Sequence, residues 1–237
     1  DISVQVQDGN AKQLKGSQRK SLTLRVWNNN KVGITSTSDL SNEGIKKAIR
    51  GAIEASAFGN EKESPDFSSL AKLPIKEINY KPSKSHGIDE LLMILKKAEK
   101  QLIERHKAID SVPYNGLSES YMERLYINSD GANRFMKISQ SSIYLYAKAQ
   151  QDQKKPRSAG GVRINSNIED LDITSCINET SEKLVSHLNY EAIKTNKYLI
   201  CFTPEAFLQL ISAFSSMFNS RSIIDGLSLM NEDSIGK

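Results

Sequence analysis

Apolar and polar residues alternate from Leu22 to Val26, with Leu22, Leu24 and Val26 interleaved with Thr23 and Arg25. Alternation with period two predicts a half-buried strand. Asn28, Asn29 and Asn30 follow, and asparagine accepts positive φ at low cost, so Lys31 to Ser38 is expected to return as the second arm of a hairpin. Ser41 is placed to cap a helix in which Ile45, Ala48, Ile49, Ala52 and Ile53 recur at helical spacing, and Gly59 suits its C-terminal end. Ahead of this block, Asp1 to Gln7 reads as a short strand and Asp8-Gly9-Asn10 as a turn.

Residues 60 to 87 lose the periodicity and carry Pro65, Pro74 and Pro82, the pattern of an extended connection. From Ile88 to Ala108 a helical stripe returns through Leu91, Leu92, Leu95, Ala98, Leu102 and Ile103. Asp89 and Glu90 at its start, and Arg105, His106 and Lys107 at its end, complement the helix dipole; Pro113 is expected to close the segment. Tyr121 to Asn128 and Asn133 to Gln140 then flank a turn, Asn128-Ser129-Asp130-Gly131, that predicts a second hairpin. In the next strand, Ser141 to Gln150, Ile143, Leu145 and Ala147 alternate with Tyr144, Tyr146 and Lys148. A polar loop is expected from Gln151 to Gly161, a short strand around Val162 to Ile164, and a helix over residues 167–190 with Leu184, Val185 and Leu188 facing the core.

The apolar run Tyr198-Leu199-Ile200-Cys201-Phe202 predicts a buried strand, and Thr203 with Pro204 predicts a capped helix start. The expected fold class is α/β or α+β with mainly antiparallel sheets and packed helices. Three domains are expected: 1–85 with its linker, 86–195, and 196–237 as the start of a β-rich domain.

Composition narrows the function classes. A chain of 237 residues with 38% hydrophobic content has room for a sizeable core. The net charge of +4 comes from 32 basic and 28 acidic residues spread along the whole length, so no concentrated basic face for nucleic acid is expected. Lys154-Lys155-Pro156-Arg157 is the densest basic run, and it reads as a solvated loop. No apolar stretch approaches the ~20 residues that span a bilayer. With no signal-peptide pattern and only Cys176 and Cys201, a reduced, cytoplasmic protein with buried thiols is expected, a disulfide between the two being the alternative.

The Gly-Ile-Thr-Ser-Thr arm at residues 33–37, running into Asp39-Leu40-Ser41 and an Ala-rich helix, resembles the opening domain of the TldD/PmbA family, also called "modulator of DNA gyrase". The second long helix and the Asn128–Gly131 hairpin resemble its central domain. The segment from Tyr198 to Asp233-Ser234-Ile235-Gly236-Lys237 is similar to the start of its third, which a family member would continue. The resemblance implies either a zinc peptidase or its metal-free partner subunit.

The catalytic branch carries HExxxH on the helix after the buried strand, where two imidazoles hold zinc and a carboxylate activates water. In this chain Ser212, Ala213 and Met217 stand at those positions, and the last histidine of the chain is His187. Serine and methionine do not replace imidazoles at a hydrolytic zinc site. The resemblance therefore implies a chain without a catalytic or metal site of its own. It would be a TldE/PmbA-like subunit that pairs with an HExxxH-bearing, zinc-carrying relative, or with itself, and helps bind extended, unfolded peptides for proteolysis. Its alternatives are a self-sufficient peptidase or hydrolase that uses a missing C-terminal region, and a regulatory binding protein.

The segment from Pro204 to Phe218 is apolar except for a narrow stripe of Glu205, Gln209, Ser212 and Ser216, with Ser215 alongside. A helix of that kind is covered on several sides. It is either an internal core helix or one whose Phe214, Met217 and Phe218 help form a subunit interface or peptide cleft. Other constellations are weak: His86, His106 and His187 are isolated, and no Gly-x-Ser-x-Gly elbow or phosphate loop occurs. Gly160-Gly161 reads as loop. Tyr144 and Tyr146 share a strand face and serve either sheet packing or stacking on a ligand.

Overall fold

The computed structural model describes residues 1–59, 69, 73, 85–151 and 153–234, so most of the Pro-rich connection and the Ile235-Gly236-Lys237 end lie outside the described residues. Two compact units emerge, Asp1–Tyr190 and Glu191–Lys237.

The first unit is built on an antiparallel five-stranded sheet. Strands β1 (Ile2–Gln7) and β2 (Asn10–Gly16) form one hairpin, turned at Asp8 and Gly9 with φ of 52° and 73°. Strands β5 (Ile109–Ile127), β6 (Asn133–Ala149) and β7 (Arg157–Asn165) complete the order β2-β1-β5-β6-β7. Helices α2 (Ile88–Ile103) and α3 (Ile173–Leu188) cover one face. Val4, Val6, Leu117, Ile143, Leu145 and Ala147 point into that face and meet Leu91, Leu95, Leu102, Ile177 and Leu184 in one core. The alternation seen in Ser141 to Gln150 is this arrangement: Ile143, Leu145 and Ala147 are buried, while Tyr144 and Tyr146 lie on the uncovered face.

Strands β3 (Leu22–Asn28) and β4 (Lys31–Thr37) make a separate two-stranded sheet, joined through Asn29 and Asn30 at φ 50° and 59°. Helix α1 (Asn42–Ala57) packs on it, capped by the Ser41 side chain, which accepts from the Gly44 amide. The buried stripe of α1 is Gly44, Ala48, Ala52 and Ser56, whereas Ile49 and Ile53 of the expected stripe are exposed. Close approach explains the change. A Cβ on Gly33 would collide with the Ala52 carbonyl, and Thr35 Oγ1 donates to the Ala48 carbonyl at 2.8 Å, so only small residues fit the seam.

Several boundaries differ from the sequence expectation. The second helix ends at Ile103, and His106, beyond it, accepts the Ala108 amide on Nδ1 at 3.1 Å. Strand β5 starts twelve residues before Tyr121 and runs through Pro113 at a register shift, where a missing N–H is tolerated. Residues 133–149 form one continuous strand rather than two. From Ser120 and Gln140 outward, β5 and β6 pair, among the described residues, only with each other and carry exposed Leu125, Ile127 and Phe135. Gly160-Gly161 lies within β7, not in a loop. A Cβ there would strike the Tyr146 ring at 2.6 Å or Thr180 Oγ1 at 2.9 Å, so the glycines mark tight packing.

In the second unit Thr203 caps α4 (Pro204–Ala213), accepting from the Ala206 amide at 3.3 Å. A short 3-10 turn (Ser215–Phe218) and α5 (Ser220–Ile224) follow. Tyr198 to Phe202, expected as a buried strand, is exposed and forms no strand. A buried strand needs a neighbour for its backbone and a cover for its side chains, and no described residue pairs with this run.

Candidate functional site

Three places in the described residues bring functional side chains together. The first is the segment from Pro204 to Phe218, where the family resemblance leads one to expect the counterpart of the HExxxH helix. It does not stay helical to Phe218: α4 stops at Ala213, and Met217 and Asn219 close i,i+3 bonds to Phe214 and Ser216. Ser215 and Ser216 explain the break, because serine side chains compete with helical backbone hydrogen bonds. Phe214, Met217 and Phe218 gather on this turn, with Phe214 48% and Phe218 60% exposed and Met217 half-buried. Ser228 Oγ donates to the Met217 carbonyl at 2.8 Å, fixing the turn against the segment after α5. Ser212 and Ala213 end the helix, and Met217 sits in the turn beyond it. Among the described residues no three His, Cys, Asp or Glu side chains converge to hold a metal.

The second place is the free edge of the large sheet. Among the described residues β7 pairs with β6 alone. A cavity of about 450 Å³ opens where this edge begins, lined by Tyr146, Pro156, Arg157, Ser158, His187 and Tyr190. The Arg157 guanidinium lies 3.6 Å from the Tyr190 ring centroid. Nearby, Tyr146 meets Tyr114 edge-on at 6.2 Å, and the Tyr144 hydroxyl accepts from Gln5 at 2.8 Å. Both tyrosines therefore pack on the sheet while keeping ring surface open. Arg157, read as part of a solvated loop, is instead the first residue of a strand.

The third is a charged clasp that linear spacing could not reveal. His86, only 8% exposed, contacts Glu119 on β5 through Nδ1 at 2.7 Å and through its backbone N–H at 3.0 Å. Its Nε2 lies 3.2 Å from Glu169, which precedes α3. The cluster fastens the entrance of α2 to the sheet and to the approach of α3. On α3, Glu179 is shared by Lys183 and Arg163, and these cations hold its carboxyl below the usual glutamate range. Glu179 in turn raises Arg163. Burial pushes the Cys176 thiol up, while Cys201 is free and exposed, against the expectation of two buried thiols.

The sequence matches two family models in this same order. Residues 1–56 match PmbA/TldA metallopeptidase domain 1, and residues 81–188 match the PmbA/TldA metallopeptidase central domain. The chain belongs to the PmbA/TldD family. Its fold is similar to a solved structure described as a modulator of DNA gyrase from Thermotoga maritima, with TM-score 0.82 and 17% identity over 98% of this chain and 52% of that one. A second modulator of DNA gyrase, from Bacteroides thetaiotaomicron, gives TM-score 0.79 and 15% identity over 94% of this chain and 52% of that chain. TldE from Thermococcus kodakarensis gives 0.66 and 20% over 78% and 41%. The chain thus spans about half the length of the first two structures. No curated protein matches its sequence. The mixed, antiparallel α+β architecture is the one these relatives share. Among the described residues no helix is long and apolar enough to cross a membrane.

Proposed function

We propose that this chain is the metal-free, TldE/PmbA-like subunit of a cytoplasmic peptidase, paired with an HExxxH-bearing relative that carries the zinc. The observation behind this reading is chemical. Where the catalytic branch has two imidazoles and a carboxylate, this chain has Ser212, Ala213 and Met217 on a helix that ends between them. Its contribution is then surface rather than reaction. Phe214, Met217 and Phe218 belong to the subunit interface, and free strand edges hold extended peptide by backbone pairing, which needs no particular side chains. The division at 1–85, 86–195 and 196–237 belongs to the same proposal, with the third part carrying the interface. The even spread of charge favours a peptide ligand over nucleic acid.

The test is cleavage of an unstructured peptide by the protein alone, by the HExxxH relative alone and by the mixture, with zinc quantified in each. This chain is expected to be inactive and zinc-free by itself and to raise the relative's cleavage in the mixture. Zinc-dependent cleavage by this protein alone would refute the proposal.

A further inference from the structure

The cavity at the start of β7 is built around Arg157. Arg157 stacks on Tyr190, yet no carboxylate meets it among the described residues, and its Nε is shut off from solvent with no acceptor. A guanidinium offers five N–H donors in a planar fork that matches a carboxylate, and stacking on an aromatic ring pre-orients that fork. Ser158 and His187 add polar groups to the lining, while Pro156, Tyr146 and Tyr190 supply apolar walls. Lys154 is tied down nearby, donating to the Leu188 carbonyl at 3.1 Å, and adds positive charge. A cavity of about 450 Å³ is large enough for a terminal residue with its carboxylate.

Strand direction identifies which carboxylate. Every pairing in this sheet is antiparallel, and β7 runs from Arg157 to Asn165. A peptide added antiparallel to the outer edge of β7 runs the other way, so its C-terminus arrives at Arg157. Gly160 and Gly161 leave the middle of that edge free of side chains.

We propose that the Arg157 cavity captures the C-terminal carboxylate of an extended peptide lying along β7. This rests on the peptide-binding reading above and names the end of the peptide that is recognised. The last side chain of the peptide packs between Tyr146, Pro156 and Tyr190, so an apolar terminal residue is favoured.

The experiment uses an N-terminally fluorescein-labelled, unstructured octapeptide with an apolar last residue, made once as the free acid and once as the C-terminal amide. Each is titrated by fluorescence anisotropy against the protein and against its Arg157→Gln and Arg157→Lys variants, with thermal melts to check that the variants fold. The free acid is expected to bind about tenfold tighter than the amide, a ratio typical of one charge-assisted contact. Arg157→Gln removes the preference for acid over amide, and Arg157→Lys keeps part of it because charge remains without the fork. Equal binding of acid and amide to the unaltered protein overturns the carboxylate site while leaving edge binding intact. A preference that survives Arg157→Gln overturns it as well. Failure of both peptides to bind overturns the peptide-binding reading itself.

Discussion

Helices α2 and α4 are both rich in large apolar residues, and their fates differ. In α2 the apolar residues form one stripe, and Leu91, Leu95 and Leu102 are fully buried at 0% exposure against the sheet. In α4 they surround most of the helix, and no residue is buried: Phe207, Leu208, Leu210 and Ile211 are all exposed. A one-sided stripe is satisfied by one neighbouring sheet, whereas an all-round apolar helix needs cover on several sides. Exposed apolar patches of such extent are uncommon on isolated proteins. The stripe of α2 has its cover in the sheet, and the apolar surface of α4 has none among the described residues.

The two cysteines break or sharpen that contrast most strongly. Cys176 is buried in α3 and its thiol is pushed up by desolvation, while Cys201 is exposed in the C-terminal unit. With a thiol reagent at neutral pH, Cys201 is expected to react at once and Cys176 at least about a thousandfold more slowly, because its exposure requires opening of the core. Equal rates would mean that the body is as open as the C-terminal unit.

A smaller effect is expected on stability. Leu95→Ala removes a fully buried side chain and should cost about 2–5 kcal/mol in urea unfolding of the body. Leu208→Ala, from an exposed position on α4, should cost less than about 1 kcal/mol in the protein by itself. Comparable losses at both positions would show that α4 is already covered.

The smallest effect concerns Glu179, whose carboxyl is held down by Lys183 and then Arg163. A carboxyl lowered in the folded state stabilises the protein above its ordinary value of 4.5 and loses that contribution as the pH falls through the lower, folded value. The difference in melting temperature between the protein and Glu179→Gln should therefore be constant above about pH 4.5 and shrink toward pH 3. A difference that persists unchanged at pH 3 would remove the charge pairing as its cause.

Legibility in the sequence follows the range of the interactions. Local signals carried well: the Asn29-Asn30 turn, the Ser41 and Thr203 caps, the α2 stripe, and the Ile143-Leu145-Ala147 alternation each depend on residues a few positions apart. Strand β2 escaped because all seven of its residues are exposed, so no alternation exists to read. The first half of β5 escaped for a different reason. Its order depends on Asn115, whose side chain bonds the Val6 backbone N–H and carbonyl 109 residues away at 2.9 and 3.0 Å. The same holds for the candidate sites: His86 finds Glu119 across 33 residues, and Arg157 meets Tyr190 only because α3 returns along β7. Phe214, Met217 and Phe218 were legible as an apolar cluster, but not the serine-induced break that gathers them on a turn.

The most direct measurement is hydrogen exchange, read at the amides of α2 and α4, in the protein alone and after addition of the HExxxH-bearing relative. The account predicts that α2 is protected throughout, while α4 and the turn at Phe214–Phe218 exchange quickly alone and gain about tenfold or more protection in the mixture. If α4 is as protected as α2 before any partner is added, or gains nothing from it, the C-terminal unit is not a subunit interface.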